Sequence, residues 1–182
     1  MKTPKLVAVV GTKRSGKTTV AECLISGLSN KGFRVGSIKH IHHPDFTMDT
    51  EGTNTWKHAR AGSRIVAAIS KREIAIILKD DPDQKVESIL DFMARQEIDI
   101  VVVEGLHSSI GQRTDVAKIV TAHDTEDLQE RLSATVPPVI AVSGLVAVKA
   151  SGLRNLVAPM VNAKTECPRL VETVEKEVFR IS

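Results

Sequence analysis

Tyrosine is absent from this chain, and aromatic residues make up only 3% of it. So sparse a set leaves little to build a stacking platform for single-stranded nucleic acid. Long basic runs are lacking too, and the formal net charge is a mild +3, so nucleic-acid binding is not expected as a main role. Cysteine occurs twice, at Cys23 and Cys167, far apart and without the spacing of metal ligands. Cys23 falls near the apolar face of the first predicted helix and reads as a buried thiol. No apolar run approaches the ~18–20 residues of a membrane span, so no membrane partner is expected. The first apolar run leads straight into a glycine-bounded loop instead of a leader cleavage site, which makes the cytoplasm the expected compartment. What is present is ordinary for a globular protein: 42% hydrophobic and 26% charged residues. A length of 182 residues suits one α/β domain over positions 1–182, with no linker or internal repeat to divide it.

The strongest local signal is the stretch from Leu6 to Thr19. An apolar, mostly β-branched run ends at Gly11, and the pattern G-x-x-x-x-G-K-T follows at once. Val20, Leu24, Ile25 and Leu28 then recur at helical spacing. Strand, glycine-bounded loop and helix are the parts of a phosphate-binding P-loop. Gly11 and Gly16 let the backbone curl so that the N–H groups of Thr12, Lys13, Arg14 and Ser15 face inward. The helix start adds the free N–H groups of its first turn around Lys17, Thr18 and Thr19. Lys17 can reach the outer phosphates and serve catalysis there, and the Thr18 hydroxyl can take Mg²⁺.

Further along, Phe33–Ile38 reads as a second strand and Asn54–Ala61 as a short helix closed by Gly62. Arg64–Ile69 and Glu73–Leu78 are strand-like around a turn. Asp81-Pro82-Asp83-Gln84 is a helix start, and Asp99–Val103 a buried strand ending at Glu104-Gly105. Asp115–Thr121 forms another strand, and Asp124 caps a helix running through Leu132. Val139–Val142 is the last strand; Leu153, Leu156 and Val157 share a short helix, and Pro168 opens the final one. Strands alternating with helices imply a P-loop NTPase fold, a mainly parallel sheet with helices on both faces. Ligands of such sheets lie beyond the carboxyl ends of the strands, which gathers the loops after Gly11, Ile38, Val103 and Val142 on one edge.

An acid at the end of an apolar strand makes Glu104 the natural metal partner of Thr18. Lys39, His40, His42 and His43, after the second strand, read as a phosphate- or partner-facing edge, with a transition-metal cluster as the weaker alternative. Asp49 is the candidate to support a magnesium ion from its outer sphere, to orient a water or to act as a base, against the plainer reading of an exposed loop acid. His58, His107 and His123 read as structural or solvated. Ser143 and Gly144 are candidates for the base side of a nucleotide site, because their loop shares the binding edge. The N-K-x-D guanine signature is absent, and Asn162-Ala-Lys164-Thr-Glu166 has similar residue types at the wrong spacing.

The order of these pieces resembles the molybdopterin-guanine dinucleotide biosynthesis adapter family, MobB. The resemblance rests on Val10–Thr19, Gly36-Ser-Ile-Lys-His-Ile-His-His43, Asp49-Thr-Glu-Gly52, Ala61-Gly62 and Val103-Glu-Gly105, and thins beyond residue 105. It implies a homodimeric, GTP-binding protein with Mg²⁺ as cofactor and slow hydrolysis at most. It also implies a partner, the guanylyltransferase that couples a guanine nucleotide to molybdopterin. The chain departs from the family pattern where Thr53 and Asn54 replace a lysine and an aspartate, and where Leu106-His107 replaces Phe-Lys. Two readings from other classes stay open: a small-molecule kinase or ATP-dependent ligase, and a metal-insertion GTPase supported by the histidine-rich loop.

Overall fold

β-Branched runs become strands where both of their faces can be covered, and five of them do so here. In the computed structural model, which describes residues 3–43, 45–79, 86–149 and 156–179, these are β1 (Lys5–Gly11), β2 (Val35–Lys39), β5 (Ile100–Glu104), β6 (Ala117–Thr121) and β7 (Val139–Ser143). They pair in the order β2-β5-β1-β6-β7, every pair parallel. β1 is central, and Val7, Ala8, Val9 and Val10 are all buried, as are Ile100 to Val103 beside them. Continuous apolar runs of this kind mark a sheet covered on both faces.

Helices α1 (Lys17–Asn30) and α6 (Cys167–Phe179) pack on each other and on the sheet. Leu24, Leu28, Leu170 and Val174 meet Val7, Val9, Ile100 and Val102 in one cluster. Helix α4 (Thr125–Ala134) packs on β6, and a short 3-10 turn at Ile110–Gln112 packs on β1. The α4 start is as expected: the Asp124 carboxylate accepts from the Asp127 backbone N–H at 3.0 Å. No helix among the described residues is long and apolar enough to cross a membrane.

The chain divides into two compact units, one spanning Met1–His40 with Leu90–Ser182 and one spanning Ile41–Ile89. No shift of composition at either boundary foretells this division. The smaller unit holds α2 (Asn54–Arg60) and an antiparallel hairpin of β3 (Ile65–Ile69) and β4 (Ile74–Leu78). Thr53 caps α2, its hydroxyl accepting from the Trp56 N–H at 3.3 Å. Helix α3 is described from Val86 to Arg95; its expected start at Asp81–Gln84 lies outside the described residues.

Two expectations need correcting. Leu156 and Val157 are not helical; among the described residues the helix of that region is α5 (Leu145–Lys149), set directly after β7, and Leu153 lies outside the described residues. The non-helical course follows from Val142 N–H donating to Pro159 O at 2.9 Å and Val161 N–H to Val142 O at 2.8 Å, which draws this segment alongside β7. Cys23 is no free thiol. It is bonded to Cys167 at the start of α6, with the Cα atoms 5.8 Å apart. A separation of 144 residues hid a pairing that the packing of α1 on α6 makes possible.

Candidate functional site

Residues 12–16 form a closed loop between β1, which ends at Gly11, and α1, which begins at Lys17. Gly11 sits so close to β6 that a Cβ there would fall 2.1 Å from the Thr121 carbonyl oxygen. Gly16 takes a left-handed conformation (φ 103°) and precedes α1 without any side-chain cap. The first helical bond runs from the Val20 N–H to the Gly16 carbonyl at 3.1 Å, so helix geometry leaves the preceding N–H groups for a ligand. Arg14 is also left-handed (φ 62°). Ser15 is fully buried: its hydroxyl donates to the Thr12 carbonyl (2.9 Å) and shares a bond with the Thr121 hydroxyl (2.6 Å). Among the loop's side chains, then, Ser15 builds the cradle instead of facing its contents. Lys17 folds across the mouth, its ammonium donating to the carbonyls of Gly11 and Thr12. Burial lowers its pKa; Glu104 opposes that shift and Lys39 adds to it.

Beside the loop, Thr18, Lys39 and Glu104 converge. The Thr18 hydroxyl donates to Glu104 Oε1 at 2.8 Å. The Lys39 ammonium lies 2.9 Å from both Glu104 oxygens and 3.2 Å from Thr18 Oγ1. The register accounts for the meeting, because Lys39 and Glu104 are partners across the β2–β5 ladder. A positive charge is thus held between one hydroxyl and one carboxylate, which are the hard oxygen donors that Mg²⁺ takes. Thr18 and Glu104, the residues expected to hold a metal, are of the donor type that fits one. Gly105 (φ 92°) and Leu106 (φ 53°) then turn the chain away from the strand end.

A second set of groups braces the loop from α4. Asp127 Oδ2 accepts from the Thr12 hydroxyl and from the His123 backbone N–H, both at 2.8 Å. The His123 ring meets the Lys13 carbonyl at 2.8 Å, so its Nε2 carries the proton. Burial pushes the Asp127 carboxyl up, but the bonds from His123 and Thr12 outweigh it and leave the pKa lowered. Sequence reading missed Asp127 altogether and left His123 as a singleton. The available signal was the loop after β6, which shares an edge with the P-loop by topology.

The remaining predicted residues divide between the two units. The His40 backbone N–H donates to the Glu104 carbonyl at 2.9 Å, which places it beside the Lys39–Glu104 pair. His42 and His43 belong to the smaller unit and are exposed. Among the described residues, no three His, Cys, Asp or Glu side chains group as a metal cluster. Asp49 is also in the smaller unit, where its Oδ1 accepts from the Thr50 N–H and the Thr53 and Thr55 hydroxyls. Those bonds, led by Thr55, lower its pKa and tie the loop ahead of α2. Ser143 is buried with its hydroxyl donating to the Val161 carbonyl at 2.6 Å, so it turns away from the ligand edge. Gly144 does face that edge, and a Cβ there would meet the Ser15 carbonyl at 2.3 Å. Next to it a cleft of about 220 Å³ opens between the P-loop, α5 and the Asn162–Lys164 segment. A larger cavity of about 370 Å³ lies at the other end of β1, lined by Lys5, Arg113 and Asp115. There Asp115 is already paired with Arg113 at 2.6 Å, and no part of the P-loop contributes.

Comparison with known proteins places this geometry. The family model for molybdopterin guanine dinucleotide synthesis protein B, MobB, matches residues 6–143. Molybdopterin-guanine dinucleotide biosynthesis adapter proteins are 32% identical over 123 residues in Escherichia coli K12 and 34% identical over 100 residues in Haemophilus influenzae. These matches cover 65% and 55% of this chain, and 66% and 56% of the relatives, so the chain spans less than two thirds of their length. A crystal structure of Bacillus subtilis MobB superposes with a TM-score of 0.72 at 22% identity, covering 96% of this chain and 98% of that one. A MobB homologue from Bacillus stearothermophilus gives 0.68 at 23%, covering 94% and 99%. At those identities the structures speak for the fold. The family match covers the P-loop, Lys39 and Glu104 together, and the chain belongs to the MobB family of molybdopterin guanine dinucleotide synthesis proteins.

Proposed function

We propose that the chain is a GTP-binding adapter in the biosynthesis of molybdopterin guanine dinucleotide, assisting a guanylyltransferase in the cytoplasm. The observation that carries this reading is the meeting of Thr18, Lys39 and Glu104 beside the Gly11–Thr19 loop. The loop and the α1 start would receive the phosphates on backbone N–H groups, with Lys17 swinging from its two carbonyls to the outer phosphate oxygens. Thr18 and Glu104 would hold Mg²⁺, and Lys39 would give way to it or move onto a phosphate. Bound there, the ion supplies neutralisation of phosphate charge. Guanine as the base, and the guanylyltransferase as the partner, come from the family and its named relatives.

Slow hydrolysis is supported by how Glu104 and Asp127 are used. Glu104 is engaged by Thr18 and Lys39, and Asp127 by the loop brace, so neither is spare to activate a water or an acceptor hydroxyl. That weighs against a kinase, which needs a base beside the transferred phosphoryl group. Asp49 we assign to building its own loop.

The homodimer finds support in the smaller unit. Ile65, Ala67 and Ile69 pair with Leu78, Ile76 and Ile74, and all six side chains are exposed on one face of the hairpin. A contiguous apolar face of this kind suits a second copy of the chain.

Single-turnover hydrolysis of bound GTP, with and without the guanylyltransferase, tests the adapter reading. The lone chain is expected to turn over far below ~1 s⁻¹, and to bind the enzyme in a pull-down. A lone-chain rate in the ~1–100 s⁻¹ range of kinases would overturn it.

A further inference from the structure

We infer that the cleft beside Gly144 is the base site, and that it recognises the 6-oxo group of a purine without reading the 2-amino group. The inference rests on the phosphate-site reading above. The cleft is contiguous with the P-loop, since Gly16 and Thr19 form one wall and Gly144 is packed against the Ser15 carbonyl. The Leu145 N–H donates to that same carbonyl at 3.0 Å, fixing α5 to the loop. At about 220 Å³ the cleft has room for a flat heterocycle but not for a whole nucleotide. Phosphates over the loop and a base in the cleft fit that size.

The wall chemistry is one-sided. Val148, 54% exposed, offers an apolar surface to a ring face. Polar side chains come from Arg14, Thr19, Asn162 and Lys164; Arg14 and Lys164 can only donate, and the Thr19 hydroxyl can do either. Asn162 Oδ1 accepts from the Lys164 backbone N–H at 3.0 Å, which orients the amide and leaves its NH₂ to donate. The cleft thus presents donors, suited to O6 and N7 of a 6-oxopurine. Adenine keeps the N7 acceptor but sets its 6-amino donor against the donor meant for O6, leaving those two groups unpaired.

A carboxylate to take the N1–H and 2-amino groups of guanine is missing from this wall. No Asp or Glu occurs from Ser143 through Thr165. The next acid, Glu166, has both oxygens engaged, Oε2 by the Asn162 N–H (3.1 Å) and Oε1 by Arg169 (2.8 Å). This accounts physically for the absent N-K-x-D signature: the 6-position is read by donors alone.

Calorimetric titration of the full chain with GTP, ITP, ATP and inorganic tripolyphosphate in Mg²⁺ tests the inference. GTP and ITP should bind alike and ATP about tenfold more weakly, the scale of a mismatched hydrogen bond. Asn162→Ala removes the donor without adding a charge. It should bring GTP and ITP toward the ATP level while tripolyphosphate is unchanged. Val148→Asp, at an exposed position, should weaken all three nucleotides and again spare tripolyphosphate. ITP binding well below GTP, or three equal affinities in the wild type, would overturn the base assignment alone. Failure of tripolyphosphate to bind would overturn the phosphate reading beneath it.

Discussion

The β1–β5 pair and the β3–β4 hairpin are built from the same residues and meet opposite fates. Val7, Val9, Ile100 and Val102 are at most 1% exposed, whereas Ile69 and Ile74 are 77% and 68% exposed. In the first case α1 and α6 lie over the strands. In the hairpin, α2 packs on β3, Val66 is buried, and the six side chains on the opposite face are left open. Apolar composition makes a strand; what covers it decides whether it is core or interface. One region is finished within the chain, and the other presents an open apolar face.

Matched truncations would break this comparison most directly. Leu24→Ala in the larger unit should cost about 2–5 kcal/mol in urea unfolding, because a fully buried side chain leaves a cavity. Ile74→Ala should stay within about 0.5 kcal/mol at concentrations where the chain is monomeric. Equal costs would mean that the hairpin face is not open. Next in size, Ile69→Asp with Ile76→Asp should weaken self-association at least about a hundredfold by sedimentation, since charge would enter an apolar interface. GTP affinity should be untouched, and a dimer that survives would lie elsewhere on the surface.

Smaller effects belong to the P-loop side. Glu104→Gln keeps an oxygen but loses the charge that Mg²⁺ wants, so the gain in GTP affinity on adding Mg²⁺ should shrink about tenfold. An unchanged magnesium response would remove Glu104 from the metal site. Smallest is Asp127→Asn, expected to cost about 1 kcal/mol at neutral pH through weaker bonds to Thr12 and His123. The sign with pH follows from its lowered pKa. The wild-type advantage is present above the ordinary carboxylate value and is lost as pH falls through the lower, folded-state value. A difference that persists at pH 2 would show that the charge is not what braces the loop.

How far the sequence foretold this depends on how local each feature is. The strand, loop and helix around residues 11–19 were legible, because Gly11 and Gly16-Lys17-Thr18 lie within eight positions of one another. Glu104 was legible from strand-end position. The contact of Lys39 with Glu104 and Thr18 was not, because it depends on β2 pairing with β5 in one register. Asp127 and Asn162 escaped for the same reason: each reaches the site through a long crossover, and alone each is an ordinary polar residue. Spacing dismissed Asn162 as a broken guanine signature, where the fold brings it back to the cleft by another route. The Cys23–Cys167 pairing was hidden likewise, until α1 and α6 were placed side by side. Helix α5 was missed because five residues are too few to show a period.

Residues 11–19 are expected to hold a nucleoside triphosphate. Calorimetry of GTP with Mg²⁺ against wild type and Lys17→Ala tests it most directly, with thermal melting of both proteins alongside. Lys17 opens α1, and its ammonium bonds only to the Gly11 and Thr12 carbonyls among the described residues, so its loss should leave the melting temperature nearly unchanged. GTP affinity should fall at least about a hundredfold, the worth of a charge-assisted contact to phosphate. Equal GTP affinity in two equally stable proteins would contradict the account.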